Sequence, residues 1–220
     1  MTTALDLLFP PLCVNCDRVG SFLCPHCLAK MTPAPSRTLP EFDEVRVCAN
    51  YAAPVSTAIH ALKYQGQTRI AETLGLLLCQ ALENTQWPVE MVSAVPLHPN
   101  RLRERGYNQA ALLAHYLAQT HHWPFVPDAV QRVRETASQV HLNARERQDN
   151  VAEAFSADPG RVSGKSVLLV DDVLTTGATL SACAAALRAA GAVRVYGVTV
   201  AGAMVQDQQA SVPGTLVEVV

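Results

Sequence analysis

The sequence predicts an α/β protein, a mainly parallel sheet flanked by helices, with a small metal-binding module in front of it. Three observations carry this. Val167 to Val170 is a continuous apolar run of the kind that forms a strand buried on both faces. Segments of helical spacing alternate with such strands along the chain, as in parallel sheets with crossover helices. Two C-x-x-C pairs, Cys13 with Cys16 and Cys24 with Cys27, stand before the first strand.

A chain of 220 residues with 49% hydrophobic content is long enough for one α/β domain plus an accessory module. Residues 1–40 are expected to form the module and a linker, 41–203 the main domain and 204–220 a tail. Net charge is only −2, so no global polycation argues for nucleic acid or a membrane surface. Arginine is nonetheless concentrated locally, at Arg101, Arg103, Arg105, Arg132, Arg134, Arg145 and Arg147, against Glu104, Asp128, Glu135 and Glu146. No apolar run approaches the roughly 20 residues of a membrane span. The N-terminus lacks a basic region and carries Asp6 inside its apolar stretch, a poor secretory signal. The expected location is the cytoplasm, where closely spaced cysteines favour metal over disulfide.

Each C-x-x-C turn curls its backbone so that two thiolates reach one ion, and two such turns complete a tetrahedral S₄ site suited to structural zinc, with iron as an alternative occupant. A redox dithiol or disulfides are the competing readings. His26 is expected on the surface, and Cys48, Cys79 and Cys183 as core fillers. Met31 to Pro40, with three prolines, reads as a stiff linker.

Val45 to Tyr51 reads as the first strand and Pro54 to Leu62 as a short helix. Lys63-Tyr64-Gln65-Gly66 then suits a turn in which an ammonium and backbone amides face a diphosphate, although a solvated lysine is the plainer alternative. Arg69 to Leu82 has an apolar helical face at Ile70, Leu74, Leu77, Leu78 and Leu82. Met91 to Val95 is a strand stopped by Pro96. Arg101, Arg103 and Arg105 alternate, and an extended segment would put all three guanidinia on one side, fit for a polyphosphate or simply an exposed basic loop. Gly106 permits a turn into a helix from Asn108. Arg132 to Asn150 is too polar for core and is expected to form a mobile flap.

Val167 to Val170 is followed by Asp171 and Asp172, which a buried strand cannot hold in its interior unpartnered. They are expected at its carboxyl end, where open α/β sheets bind ligands. Thr175, Thr176, Gly177, Ala178 and Thr179 follow, a small, hydroxyl-rich loop opening a helix near Ala178, whose positive end suits a phosphate. An ordinary strand-to-helix turn with a capping threonine is the alternative. Ala182 to Ala190 continues as a small-residue helix, Gly191 ends it, and Val193 to Val200 is another strand. Residues from Met204 onward are expected to be a frayed tail or an edge strand.

VLLVDDVLTTGAT resembles the phosphoribosyl-diphosphate (PRPP) signature of type I phosphoribosyltransferases. The resemblance implies that fold, with Asp171 and Asp172 on the ribose hydroxyls and Thr175, Thr176, Gly177, Ala178 and Thr179 around the 5-phosphate. It also implies that the loop of Lys63, Tyr64 and Gly66 meets the diphosphate. Arg101 to Gln109 is similar to the R-x-R-x-R-G-[FY]-N-Q segment of the ComF family, competence-associated proteins with phosphoribosyltransferase-like domains. Arg132, Arg134, Thr136, Gln139, Leu142, Arg147 and Asn150 fit that family's R-x-R-x-T-x-x-Q-x-x-L-x-x-x-x-R-x-x-N pattern.

The function implied is Mg²⁺-assisted transfer of ribose 5-phosphate from PRPP to an unknown acceptor, a nucleobase or a related group, linked to use of imported DNA. Lys63, Arg103 and Arg105 would act on the departing diphosphate, with Arg101 in the same pocket. The alternative is a non-catalytic PRPP sensor or DNA-processing adaptor that binds single-stranded DNA or a partner protein.

Overall fold

Among the described residues, the main sheet contains four parallel strands in the order β1-β6-β5-β2: β1 (Glu44–Asn50), β2 (Met91–Ala94), β5 (Ser166–Leu174) and β6 (Arg194–Gly202). This computed structural model describes residues 10–35, 37–133 and 154–203. β5 and β6 are central, and Val167, Leu168, Leu169, Val170, Val195, Val198 and Val200 are fully buried between two helical layers. Their near-continuous apolar character follows from burial on both faces. Glu90 anchors the start of β5: one carboxylate oxygen accepts from Ser166 N at 2.9 Å, the other from Lys165 Nζ at 3.1 Å.

One layer comprises α2 (Val55–Tyr64), α3 (Ile70–Leu82) and α5 (Gln109–His121). In α3 the i, i+4 series Ile70, Leu74, Leu78 and Leu82 is buried, and α5 answers with Leu113 and Leu117. The helices meet closely at Gly75, where a Cβ would lie 2.4 Å from Tyr116 Cδ1. On the opposite face, after the short helix α6 (Pro159–Val162), α7 (Ala178–Ala189) buries Leu180, Cys183, Ala184 and Leu187, its small residues allowing close approach to the sheet. Gly191, at φ +94°, follows it. Cys79 is also buried and Cys48 partly so, in keeping with core-filling roles.

Four local features differ from the sequence reading. Pro99–Arg105 is a helix, α4, rather than an extended segment. Its signals are Pro99 in the first turn, a His98 side chain that accepts from Asn100 N at 3.2 Å, and Gly106 at φ +80° as the stop. β5 continues through the acidic pair to Leu174. Lys63 and Tyr64 belong to the last turn of α2, with only Gln65 and Gly66 forming the turn beyond. A two-stranded antiparallel ribbon, β3 (Val130–Arg132) and β4 (Phe155–Ala157), was not anticipated. Arg132 is in β3. Val133 follows it, exposed; the flap residues from Arg134 to Asn150 and the tail from Met204 lie outside the described residues.

The cysteine module, with its short helix α1 (Pro25–Leu28), packs on the α2–α3 layer. Cys13, Leu23, Cys24 and Cys27 are buried in the same apolar cluster as Ile59, Leu74 and Leu78. Asn15 Oδ1 accepts from Thr57 Oγ1 at 3.3 Å, and the Arg69 guanidinium lies 5.1 Å from the Phe22 ring centroid. His26 is exposed.

Candidate functional site

β2 ends at Ala94, opposite Val170, while β5 runs on beside β6 with Asp171 paired to Thr199. The sheet is therefore one strand narrower at the acidic pair, and a cleft opens beside it. Alternation along β5 puts Asp172 on the face of Leu168 and Val170, toward α2 and α5. There it is buried, its Oδ1 accepting from Gln109 Nε2 at 3.2 Å and its Oδ2 in an ion pair with the Lys63 ammonium. Among the described residues that oxygen has no hydrogen-bond partner, and Lys63 pairs with it as an ion. Asp171 Oδ1 accepts from Asp172 N at 2.8 Å. Asp171 keeps some accessible surface, yet its carboxyl is packed in dense protein. Desolvation, and secondly the Asp172 charge, push it well above the ordinary carboxylate range.

After Leu174 the chain enters the threonine loop. Thr175, Thr176 and Thr179 are exposed, and Gly177, at φ +87°, is the N-cap of α7 without any side chain to cap it. Thr176 Oγ1 lies 3.4 Å from Ala178 N. The start of a twelve-residue helix thus presents N–H groups and hydroxyls suited to an anion.

The segment from Arg105 to Gln109 ties the site together. Tyr107 donates its hydroxyl to the Leu62 carbonyl, next to Lys63. Asn108 caps α5 by accepting from Ala110 N at 3.0 Å and donates to the Val95 carbonyl at 2.9 Å. Buried Gln109 accepts from Arg105 and donates to Asp172, bridging a cation to the acidic pair. These bracing roles were not read from the sequence, although Tyr107, Asn108 and Gln109 stood in the quoted motif.

Two adjoining cavities result. One, of about 350 Å³, is lined by Asp171, Asp172, Thr175 and Thr179 together with Arg132, Tyr51 and His98. The other, of about 460 Å³, is lined by Tyr64, Gly66, Arg105 and Tyr107. Lys63 and Arg101 line both. In a helix, residues two apart point about 200° away from each other. Arg101 and Arg105 accordingly face the cavities, while Arg103 turns aside to Asn100 Oδ1 and lines neither. Thr176, Gly177 and Ala178 form the loop backbone without lining either cavity.

The cysteines form a second constellation. Their four sulfurs lie within 4.8 Å of one another, with Cys13 to Cys27 at 3.7 Å and Cys16 to Cys24 at 3.6 Å. These gaps exceed a disulfide's length of about 2.05 Å. They match the roughly 3.8 Å edge of a tetrahedron with metal–sulfur bonds of about 2.3 Å. Cys13 Sγ accepts from Cys24 N and Cys27 Sγ from Asn15 Nδ2, both at 3.4 Å, contacts that suit thiolates.

Residues 107–211 match the phosphoribosyl transferase domain family. The chain is 36% identical over 196 residues to "DNA utilization protein YhgH" of Escherichia coli K12, covering 84% of this chain and 86% of that protein. It is 33% identical to "Competence protein F" of Haemophilus influenzae, covering 85% and 83%. The chain belongs to the ComF family. Among solved structures, adenine phosphoribosyltransferase of Thermoanaerobacter pseudethanolicus overlaps at a TM-score of 0.41 and 16% identity, over 77% of this chain and 95% of that one. The ComF chain carries a phosphoribosyl transferase domain, matched over residues 107–211, whose parallel sheet ends in the cleft described above. Among the described residues, no helix is long and apolar enough to cross a membrane.

Proposed function

We propose that this ComF protein binds PRPP in the two adjoining cavities and transfers its ribose 5-phosphate to an acceptor. The observation that carries the reading is the convergence of Asp171, Asp172, Thr175 and Thr179 with Lys63 and Arg101 around one cleft. The carboxylates accept from the ribose hydroxyls, and the 175–179 loop with the start of α7 holds the 5-phosphate. Lys63, Arg101 and Arg105 face the diphosphate. In transfer, the bond from C1 to the diphosphate oxygen breaks and diphosphate departs with the electron pair. An acceptor lone pair forms the new bond to C1, and the acceptor releases its proton. The cations stabilise charge that builds on the leaving group, which is electrostatic catalysis without a protein nucleophile.

The crowded acidic pair fits a hard divalent cation, since burial and the Asp172 charge raise Asp171 above the ordinary carboxylate range and nearby positive charge would relieve that. Bound there with PRPP, Mg²⁺ would neutralise diphosphate charge. Asp172 already has Lys63 on Oδ2, so ligand binding must share or separate that pair and turn the ammonium toward the diphosphate. At the cysteine site we assign a structural zinc ion to Cys13, Cys16, Cys24 and Cys27, on the basis of the sulfur tetrahedron.

The test is a calorimetric PRPP titration with Mg²⁺, followed by a screen of nucleobases for diphosphate release. Binding and release in the native protein, both lost in the Asp171→Ala, Asp172→Ala double variant, are expected. Binding without release for any acceptor would retain a sensor and remove the enzyme.

A second reading has one observation in its favour. Tyr64 is 68% exposed, with the Arg105 guanidinium 5.3 Å from its ring centroid and His60 4.9 Å away. An open aromatic beside the Arg105 guanidinium suits a stacked base and its phosphate, as in an adaptor for single-stranded DNA. Salt-sensitive oligonucleotide binding that Tyr64→Ala plus Arg105→Ala leaves unchanged would exclude this surface.

A further inference from the structure

On the way from the cysteine module to β1, residues 32–35 and 37–39 pass the carboxyl ends of the main-sheet strands. Asn50, the last residue of β1, donates its backbone N–H to the Thr32 carbonyl at 2.9 Å and its side-chain amide to the Pro33 carbonyl at 2.9 Å. Arg37 reaches further. Its Nη1 donates to the Thr175 carbonyl at 2.7 Å and its Nη2 to the Ala203 carbonyl. Those carbonyls directly follow β5 and β6, so one guanidinium clips together the exits of both central strands. Leu39 presses on the loop at a different point: a Cβ on Gly177 would fall 2.8 Å from Leu39 Cδ2.

Neither residue is among those that line the cavities. Their contacts go instead to the outside of the threonine loop. A loop of Thr, Gly and Ala has little side-chain packing of its own, and its amides bind an anion only when they converge. Contacts that fix the loop before the ligand arrives remove part of the ordering cost of binding. The planar fork of arginine reaches two carbonyls at once, which a single ammonium at the end of a lysine does poorly.

We propose that Arg37 and Leu39 are positioning residues that hold the 175–179 loop in its anion-binding shape, raising affinity for a sugar 5-phosphate without touching it. This rests on the PRPP reading above. The consequence is that the loop is held by the segment leading out of the cysteine module, and not solely by the domain that carries it.

Arg37→Ala, Arg37→Lys and Leu39→Ala in the full chain test the proposal. Affinity for PRPP and for ribose 5-phosphate is measured by calorimetry, and amide hydrogen exchange over residues 174–179 is followed in the free protein. Arg37→Ala is expected to raise both dissociation constants roughly tenfold or more, because hydrogen bonds made by a charged donor are lost. Exchange should quicken in the loop and not across the sheet. Arg37→Lys should recover part of the effect, and Leu39→Ala should act in the same direction. Wild-type affinity and exchange in Arg37→Ala would overturn the proposal, as would faster exchange spread evenly over the sheet. If the unaltered protein binds neither ligand, the PRPP reading fails, while exchange in the variants still decides whether the brace exists.

Discussion

Asp171 sits beside a second carboxylate, and its surroundings oppose its charge: burial first, then Asp172, with Lys63 giving only partial relief. Because its folded pKa is raised, the proton is bound more tightly in the native state than in the unfolded chain. Its contribution to stability is therefore complete below the unfolded carboxyl pKa and is lost as pH rises through the folded value. Asp171→Asn keeps the shape and removes that loss. The variant should melt above the wild type by a few degrees at pH 8, and the difference should vanish near pH 3, where both proteins are uncharged at this position. Thermal melts across that range check the sign, and a variant that is less stable at pH 8 would refute it. Ligand binding should show the other side of the same linkage. Cation-assisted PRPP binding favours the ionised form of Asp171, so affinity should rise with pH through its raised folded pKa, with proton release over that range. Calorimetry in two buffers of different ionisation enthalpy measures that release.

At the scale of elements, the unit from β5 through α7 was legible because its signals are local. An apolar run, an acidic pair, a glycine and a small-residue helix occur within one stretch of chain. α4 was misread because Arg101, Arg103 and Arg105 mimic a two-residue period, whereas Pro99 and Gly106 marked a short helix. β3 and β4 were not legible at all: three-residue strands have no measurable periodicity, and Arg132 pairs with distant Phe155. The same division runs through the site. The acids and threonines are readable from neighbours in sequence, while Gln109, Tyr107, Arg37 and Leu39 act only through segments brought together by folding. Gly177 lies on the boundary between the two. Its positive φ and its contact with Leu39 both oppose a side chain. Gly177→Ala should destabilise the protein by roughly 1–3 kcal/mol and reduce affinity for ribose 5-phosphate. Denaturant melts and calorimetry measure the two effects, and an unaltered affinity would show that the loop tolerates displacement.

Across the whole molecule, the cysteine module and the ligand domain share one core. Cys13, Cys24 and Cys27 are almost completely inaccessible to solvent and lie in the cluster that also contains Leu74, Leu78, Leu113 and Leu168. Without an ion, three of the four clustered thiols, Cys13, Cys24 and Cys27, would place polar sulfurs, and any negative charge on them, against apolar helices, whereas a bound metal ion satisfies all four together. The metal should therefore contribute to the stability of the α2–α3 layer as well as that of its own loops. Removing it by a strong chelator, or by Cys13→Ser, should lower the main thermal transition and preserve a single cooperative unfolding event, rather than release the N-terminus as a separate early step. Calorimetry with metal analysis distinguishes these outcomes. If the module folded independently, the main transition would stay in place after metal loss and a small one would disappear. A shared core predicts that the main transition itself moves downward, and that zinc added back to the chelated protein restores it.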